Sequence, residues 1–242
     1  MAYIGQCRGS KLIAQLTALG FGEMTVREEF PPRRFPWVFD NGAFKDWTAG
    51  VDFQTARYEK ALDRLSVSAL RPDFVVAPDI VAGGIGSLRF SESWAERLSW
   101  LGLPLYLVVQ NGMMEADVLP SLAPFAGVFV GGTLDWKLRT SPQWVDFAHL
   151  HGKRCHIGRM GTEERVRAAR RWGADSIDSA LPLWSAENLA RFLKGFTDTV
   201  GELLEDSGVL GSTHGHINHM RRAFVAPRRV VAPIDSTGDL FS

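Results

Sequence analysis

The sequence predicts an α/β protein built as a single (β/α)8 barrel of the TIM type. Three observations carry that prediction. Short apolar runs of strand character recur near residues 2, 22, 37, 74, 104, 127, 154 and 175, most followed by a segment with helical spacing. The length of 242 residues suits one such barrel. Several runs also end alike, in an acid, an amide or paired glycines, and the C-terminal strand ends are where parallel barrels hold their chemistry. The runner-up architecture is an open doubly wound sheet. The barrel is assigned to residues 1–206 and a basic C-terminal tail or arm to residues 207–242.

Ala2-Tyr3-Ile4-Gly5 reads as the first strand. Leu12, Ile13, Leu16 and Leu19 lie on one helical face, which predicts a helix over 11–19 with Ser10 as its cap and Gly20 as its end. Phe21–Val26 is the second strand, and the proline-rich stretch 31–36, with Arg33 and Arg34, reads as an exposed, solvated loop. Trp37-Val38-Phe39 is a short strand ending in Asp40-Asn41-Gly42, a strong turn signal. A helix is predicted over 53–70.

Phe74-Val75-Val76-Ala77 is a buried-type strand ending in Pro78-Asp79. The glycines that follow, Gly83-Gly84-Ile85-Gly86, match no phosphate-binding fingerprint, and a helix capped by Ser87 or Ser91 and running to Trp100 is the preferred reading. Pro104–Val109 ends in Gln110-Asn111-Gly112, and Phe125–Val130 ends in Gly131-Gly132-Thr133. A helix is predicted over 141–150 and a seventh strand over 153–157, followed by Gly158-Arg159-Met160-Gly161-Thr162. Thr162 opens a helix to Trp172. Asp175–Asp178 is the eighth strand, and a last helix is expected from Ala186 to about Glu205.

The bulk numbers exclude several classes. Formal net charge is zero, so no global basic field announces a polyanionic partner. Cys7 and Cys155 are the two cysteines and lie far apart, which argues against a disulfide framework or a cysteine-rich zinc site. There is no signal-peptide pattern and no apolar stretch long enough to span a bilayer, so a reduced, cytoplasmic protein without membrane contact is expected. The tail carries His214, His216 and His219, which lack a carboxylate or thiolate at metal-ligand spacing, beside Arg221, Arg222, Arg228 and Arg229. No metal and no cofactor is expected.

In a barrel, Asp40, Asp79, Gln110, Gly131, Gly132 and Asp178 share one rim. Aspartates with a glutamine suit a purine: a carboxylate accepts from N1–H and the exocyclic amine, while the amide and a backbone N–H serve O6 and N7. Two further acids suit glycosyl exchange, one as nucleophile and one as acid/base. A glycoside hydrolase fits the same residue types.

The order of these strand ends resembles the tRNA-guanine transglycosylase superfamily from about Trp37 to Pro182. Asp40-Asn41-Gly42-Ala43-Phe44 is similar to its Asp-Ser-Gly-Gly-Phe motif, and Asp79 falls where its base-reading Asp stands. Val109-Gln110-Asn111-Gly112 resembles Val-Gln-Gly-Gly, and Gly131-Gly132-Thr133-Leu134 resembles Gly-Gly-Leu-Ala. The block from Gly161-Thr162 to Gly173-Ala174-Asp175-Ser176-Ile177-Asp178-Ser179-Ala180-Leu181-Pro182 is similar to the block whose second Asp is the family's nucleophile.

The departures are equally specific. The zinc-binding Cys-x-Cys-x-x-Cys is missing, and Leu183-Trp184-Ser185 replaces the Thr-Arg-Asn-Ala-Arg that holds the anticodon loop. These absences, and Asp135-Trp136-Lys137-Leu138-Arg139, resemble the phage and bacterial branch that inserts 7-deazaguanine bases into DNA, the DpdA-type proteins. The resemblance implies Asp178 as nucleophile and Asp40 as general acid/base. It implies base binding by Asp79, Gln110, Gly131, Gly132, Asn41 and Met160, and contacts from Trp136, Lys137 and Arg139 to the displaced strand. The implied partners are guanine-containing DNA and a free 7-deazaguanine such as preQ0, with a homodimer or helper protein as a further expectation. A tRNA substrate, or a non-catalytic nucleic-acid-binding barrel, are the alternatives.

Overall fold

The structure, a computed structural model, describes residues 1–197. Eight parallel strands close into a barrel in sequence order. They are β1 (Ala2–Gly5), β2 (Gly22–Val26), β3 (Trp37–Asp40), β4 (Val75–Val76), β5 (Leu105–Val109), β6 (Gly127–Val130), β7 (Arg154–Ile157) and β8 (Ser176–Ser179). Pairing of Tyr3 with Asp178 and of Ile4 with Ser179 joins β1 to β8 and closes the ring. The helices are α1 (Ser10–Ala18), α2 (Ala43–Thr48), α3 (Thr55–Ser66), α4 (Gly84–Ser99), α5 (Glu115–Val118), α6 (Leu134–Leu150), α7 (Glu163–Trp172) and α8 (Ala186–Lys194).

Strands covered on both faces read as continuous apolar runs, and alternation then sorts their side chains. In β5, Leu105, Leu107 and Val109 join the layer beneath the helices, while Tyr106 and Val108 point to the barrel axis. The axis is filled by Tyr3, Met24, Val38, Phe74, Val76, Tyr106, Val108 and Phe129. Phe74 stacks on Tyr106 with ring centroids 3.9 Å apart. Glycine at two strand starts makes room for these rings: a Cβ on Gly22 would lie 2.5 Å from Tyr3, and one on Gly127 2.6 Å from Tyr106. The aromatic plug fills the barrel from below, and the open space lies above it at the C-terminal rim.

Several sequence expectations need correction. Ser10 is the first residue of α1, and Gly9 occupies the N-cap without a side-chain bond. Helix α3 is shorter than 53–70, because the chain turns at Val67 and the Ser68 hydroxyl accepts the Leu70 N–H. The glycine-rich stretch is the first turn of α4, and neither Ser87 nor Ser91 caps it: Ser87 Oγ accepts the Ile80 N–H, while Ser91 Oγ donates to the Pro78 carbonyl. Ser141-Pro142 looked like a helix start, yet α6 begins at Leu134 and carries Pro142 inside, because one buried face runs on through Trp136, Ser141, Trp144 and Val145. Helix α8 ends at Lys194 rather than near Glu205.

Arg34 is buried, not solvated; its guanidinium donates to the Ile4 and Gly5 carbonyls and lies 3.4 Å from the buried Glu23. The Thr162 cap and the left-handed Gly173 that ends α7 are as expected. Helix α8 packs on α7, and its Phe192, with Phe196 just beyond it, meets Phe21 beside β2. The tail, with His214, His216 and His219 and its arginines, lies outside the described residues. No described helix is long and apolar enough to cross a membrane.

Candidate active site

A cavity of about 510 Å3 opens over the aromatic plug at the C-terminal ends of the strands. That volume is typical of small-molecule sites, which run roughly 300–1,000 Å3. Asp40, Asn41, Asp79, Gln110, Gly131, Gly132, Lys137 and Asp178 all line it. The cavity has two unlike sides.

One side is built by the ends of β3, β4 and β5. Asp79 is buried and clamped by two side-chain amides: Asn41 Nδ2 donates to Oδ1 at 2.7 Å, and Gln110 Nε2 donates to Oδ2 at 2.6 Å. The amide orientations are fixed from behind. Asn41 Oδ1 accepts the Ala43 N–H and Gln110 Oε1 accepts the Ala82 N–H, so both NH2 groups must face the carboxylate. Burial raises the Asp79 pKa to about 6 against the pull of these two donors. Asp40 stands beside them, its Oδ1 accepting the Gly42 N–H at 2.7 Å. Burial, with the negative charges of Asp178 and Asp79 adding to it and the Gly42 N–H opposing, lifts its pKa to about 7. Asp40 is thus poised to give and take a proton near neutrality.

The other side is built by the ends of β6, β7 and β8. Asp178 Oδ1 accepts the Arg159 backbone N–H at 2.7 Å and lies 3.6 Å from His156 Nε2. Lys137 projects from the first turns of α6, buried, with its Nζ 2.5 Å from the Gly158 carbonyl. Burial, reinforced by Arg159 and opposed by Asp178, brings the Lys137 pKa down to about 7. Burial also opposes ionisation of Asp178, yet His156, the Arg159 amide and Lys137 outweigh it and hold Asp178 below the ordinary carboxylate range. Burial pushes the His156 pKa below its ordinary value, with the Asp178 carboxylate opposing.

Backbone strain marks the same residues. Among the described residues, two that are not glycine have positive φ, Ala82 at 57° and Arg159 at 61°. Each donates its strained N–H to a site side chain, Gln110 and Asp178. Strain of this kind costs on the order of 1–3 kcal/mol and persists where the surroundings enforce it. Gly131 is needed for close approach, since a Cβ there would lie 2.7 Å from Gln110 Nε2.

Four residues implied by the resemblance are placed otherwise than expected. The Met160 side chain is buried in the layer beneath the helices and does not line the cavity; its backbone N–H donates to the Asp178 carbonyl. Trp136 is buried against Gly132 and Trp144, so its ring is not offered to a strand for stacking. Lys137 faces the cavity instead of a displaced strand. Arg139 is exposed but pairs with Asp135 one helical turn away, outside the cavity lining.

The sequence reading missed His156, Arg159 and the rim. His156 was recoverable from strand alternation, because it sits two residues before Gly158 on the inward row and its backbone registers with Ser176 of β8. At the mouth, Phe44 and Trp184 are exposed, at 41% and 76%, and both line the opening with Lys45 and Arg165. The Arg159 guanidinium lies over the Phe44 ring at 4.2 Å and donates to the Gly132 carbonyl. Among the described residues no group of three or more His, Cys, Asp or Glu is placed to hold a metal ion. No protein-family model matches the chain, and no curated protein does.

Proposed function

We propose that the protein is a base-exchange glycosyltransferase that replaces guanine in DNA with a 7-deazaguanine such as preQ0. One observation carries the reading: two carboxylates lining one cavity are driven in opposite directions, Asp178 below the ordinary carboxylate range and Asp40 up to about 7. Such a split separates a nucleophile from an acid/base. The third acid, clamped by two amides, suits the N1–H and exocyclic amine of a guanine-type base.

In the proposed reaction Asp178 attacks C1′ of the target nucleotide. The C1′–N bond breaks, Asp40 gives its proton to the departing guanine, and a glycosyl-aspartate ester forms. Asp40 then takes the ring N–H proton of the incoming base. That nitrogen attacks C1′ and the ester bond to Asp178 breaks, which returns the carboxylate. The target nucleotide reaches Asp178 only if flipped out of its stack, at a cost of a few kcal/mol.

The choice of DNA over tRNA rests on the missing zinc motif and the missing anticodon-loop residues. Exposed Phe44 and Trp184, interleaved with Lys45 and Arg165, are suited to hold the strand by stacking and phosphate contact. They take the place of Trp136, Lys137 and Arg139 in that role. Gly131 and Gly132 remain base-contacting residues; Asn41 and Gln110, whose amides are turned onto Asp79 and held there by backbone groups, orient that acid instead of meeting the base edge, and Met160 makes no base contact.

The test is base exchange. The protein is incubated with preQ0 and guanine-containing duplex DNA, single-stranded DNA or tRNA; the nucleic acid is digested and its nucleosides are identified by mass, with Asp178→Ala beside the wild type. Deazaguanine nucleoside in DNA from the wild type alone is expected. Product on tRNA alone moves the substrate to RNA. No product on any of them contradicts the reading.

A further inference from the structure

Directly beneath Asp178 the barrel interior holds a polar pair that the reaction above does not use. His156 is fully buried. Its Nδ1 lies 2.8 Å from Ser176 Oγ, and its Nε2, which has no hydrogen-bond partner, faces Asp178 Oδ1 at 3.6 Å. Phe129 stacks on the ring with centroids 4.5 Å apart and Phe74 meets it edge-on at 5.3 Å. The imidazole is therefore held in place from both sides.

The two neutral tautomers are not equivalent here. With the proton on Nδ1, that nitrogen donates to Ser176 and the Nε2 lone pair faces an ionised carboxylate, which is repulsive. With the proton on Nε2, the Ser176 hydroxyl donates to Nδ1 and an N–H faces Asp178. The second arrangement satisfies Nδ1 and gives the orphaned nitrogen an acceptor, and a buried donor without one is costly. At 3.6 Å the contact is longer than a formed hydrogen bond, as catalytic contacts often are before substrate is in place.

We propose that Ser176 and His156 form a proton-ordered pair that fixes the Nε2–H tautomer and holds the Asp178 carboxylate ionised and aimed into the cavity. His156 is then a positioning residue, acting through Asp178. The catalytic part of this inference rests on the reading of Asp178 as nucleophile; the tautomer does not. The other charged or titratable groups around the pair are Lys137 from α6, Arg159 after β7, Asp40 from β3, and Tyr3 with the amino terminus of β1.

Histidine 15N NMR on the full chain, with the His156 signal assigned by its loss in His156→Gln, reads the tautomer without substrate. The Nε2–H form is expected at neutral pH; the Nδ1–H form or an imidazolium overturns the proposal. Carboxyl 13C titration of Asp178 and the acid limb of base exchange are then compared among wild type, His156→Gln and His156→Phe. Gln keeps an N–H donor within reach of Asp178, and Phe keeps only the stacking. Both readouts are expected to move upward by about one pH unit in His156→Phe, a tenfold loss of activity on that limb, and to be largely restored in His156→Gln. An unchanged titration and acid limb in His156→Phe overturns the role. If His156→Phe does not fold, a titration in His156→Gln shifted upward by that same unit or more overturns it instead. If the wild type exchanges no base, the tautomer and the Asp178 titration still decide this proposal, and only the transglycosylase reading fails.

Discussion

The two sides of the cavity hold the same side chain in opposite states. On the β3–β5 side, Asp79 meets two neutral amides and Asp40 one backbone N–H, and burial wins: both carboxyls are raised. On the β7–β8 side, Asp178 is also buried but faces the His156 imidazole, a strained amide and a buried amine, and burial loses. Asp40 has two like charges nearby and Asp79 only amide donors, whereas Asp178 has an imidazole, a backbone amide and an amine beside it that together outweigh its burial. The proton affinity of each aspartate is therefore set by its neighbours. A reaction that needs a nucleophile and a proton carrier in one place gets both from this asymmetry.

The contrast is broken most severely at Asp178. Asp178→Asn removes the proposed nucleophile and is expected to lower base exchange on the order of 10⁴-fold or more, with the fold retained in a circular-dichroism melt. Asp40→Asn is next, with a loss of about 10²–10⁴-fold. It also tests the pH dependence. In the proposed reaction departure of guanine needs protonated Asp40, so wild-type activity is expected to fall as pH rises through about 7, and the variant's residual activity should lack that limb.

The sign for stability follows from the same shift. Asp40 binds its proton more tightly folded than unfolded, so its contribution to stability is full below the ordinary aspartate range and is lost as pH rises through about 7. The wild type should melt lower at pH 8 than at pH 5 by more than Asp40→Asn does. Asp79→Asn sharpens the comparison from the other side. It replaces an acceptor by a donor between two amide NH2 groups, and about a 10²-fold loss of kcat/KM for the base is expected with weaker rejection of adenine-type bases.

The smallest effects lie at the rim. Trp184→Ala removes a stacking surface of about 1–3 kcal/mol and is expected to raise KM for DNA with little change in kcat or melting temperature. Trp136→Ala, by contrast, empties a buried site and should lower the melting temperature. Arg139→Ala should do neither, because an exposed helix pair contributes about 0.3–0.5 kcal/mol.

The barrel was legible because its strands are short apolar runs and its strand ends repeat a pattern. The three rim acids and one amide were legible for the same reason: Asp40, Asp79, Asp178 and Gln110 each terminate such a run, and the structure brings all four to one cavity. What the sequence concealed depends on direction rather than on spacing. Lys137 lies on α6, and only the helix phase turns its amine inward while Trp136 beside it packs under Gly132. Met160 is two residues from Gly158, yet its side chain points into the outer layer. Arg159 contributes through its backbone, in a conformation no side-chain pattern announces. The early start of α6 was hidden by Ser141-Pro142, which imitates a helix start in mid-helix.

The most direct test of the central claim is capture of the glycosyl-aspartate. Wild-type protein and guanine-containing DNA are mixed without an incoming base, quenched in denaturant, digested with protease and nuclease, and analysed by mass spectrometry. A deoxynucleotide attached to the peptide that carries Asp178, absent from Asp178→Asn, is the predicted result. Base exchange with no such adduct, or an adduct on any other residue, would contradict the account.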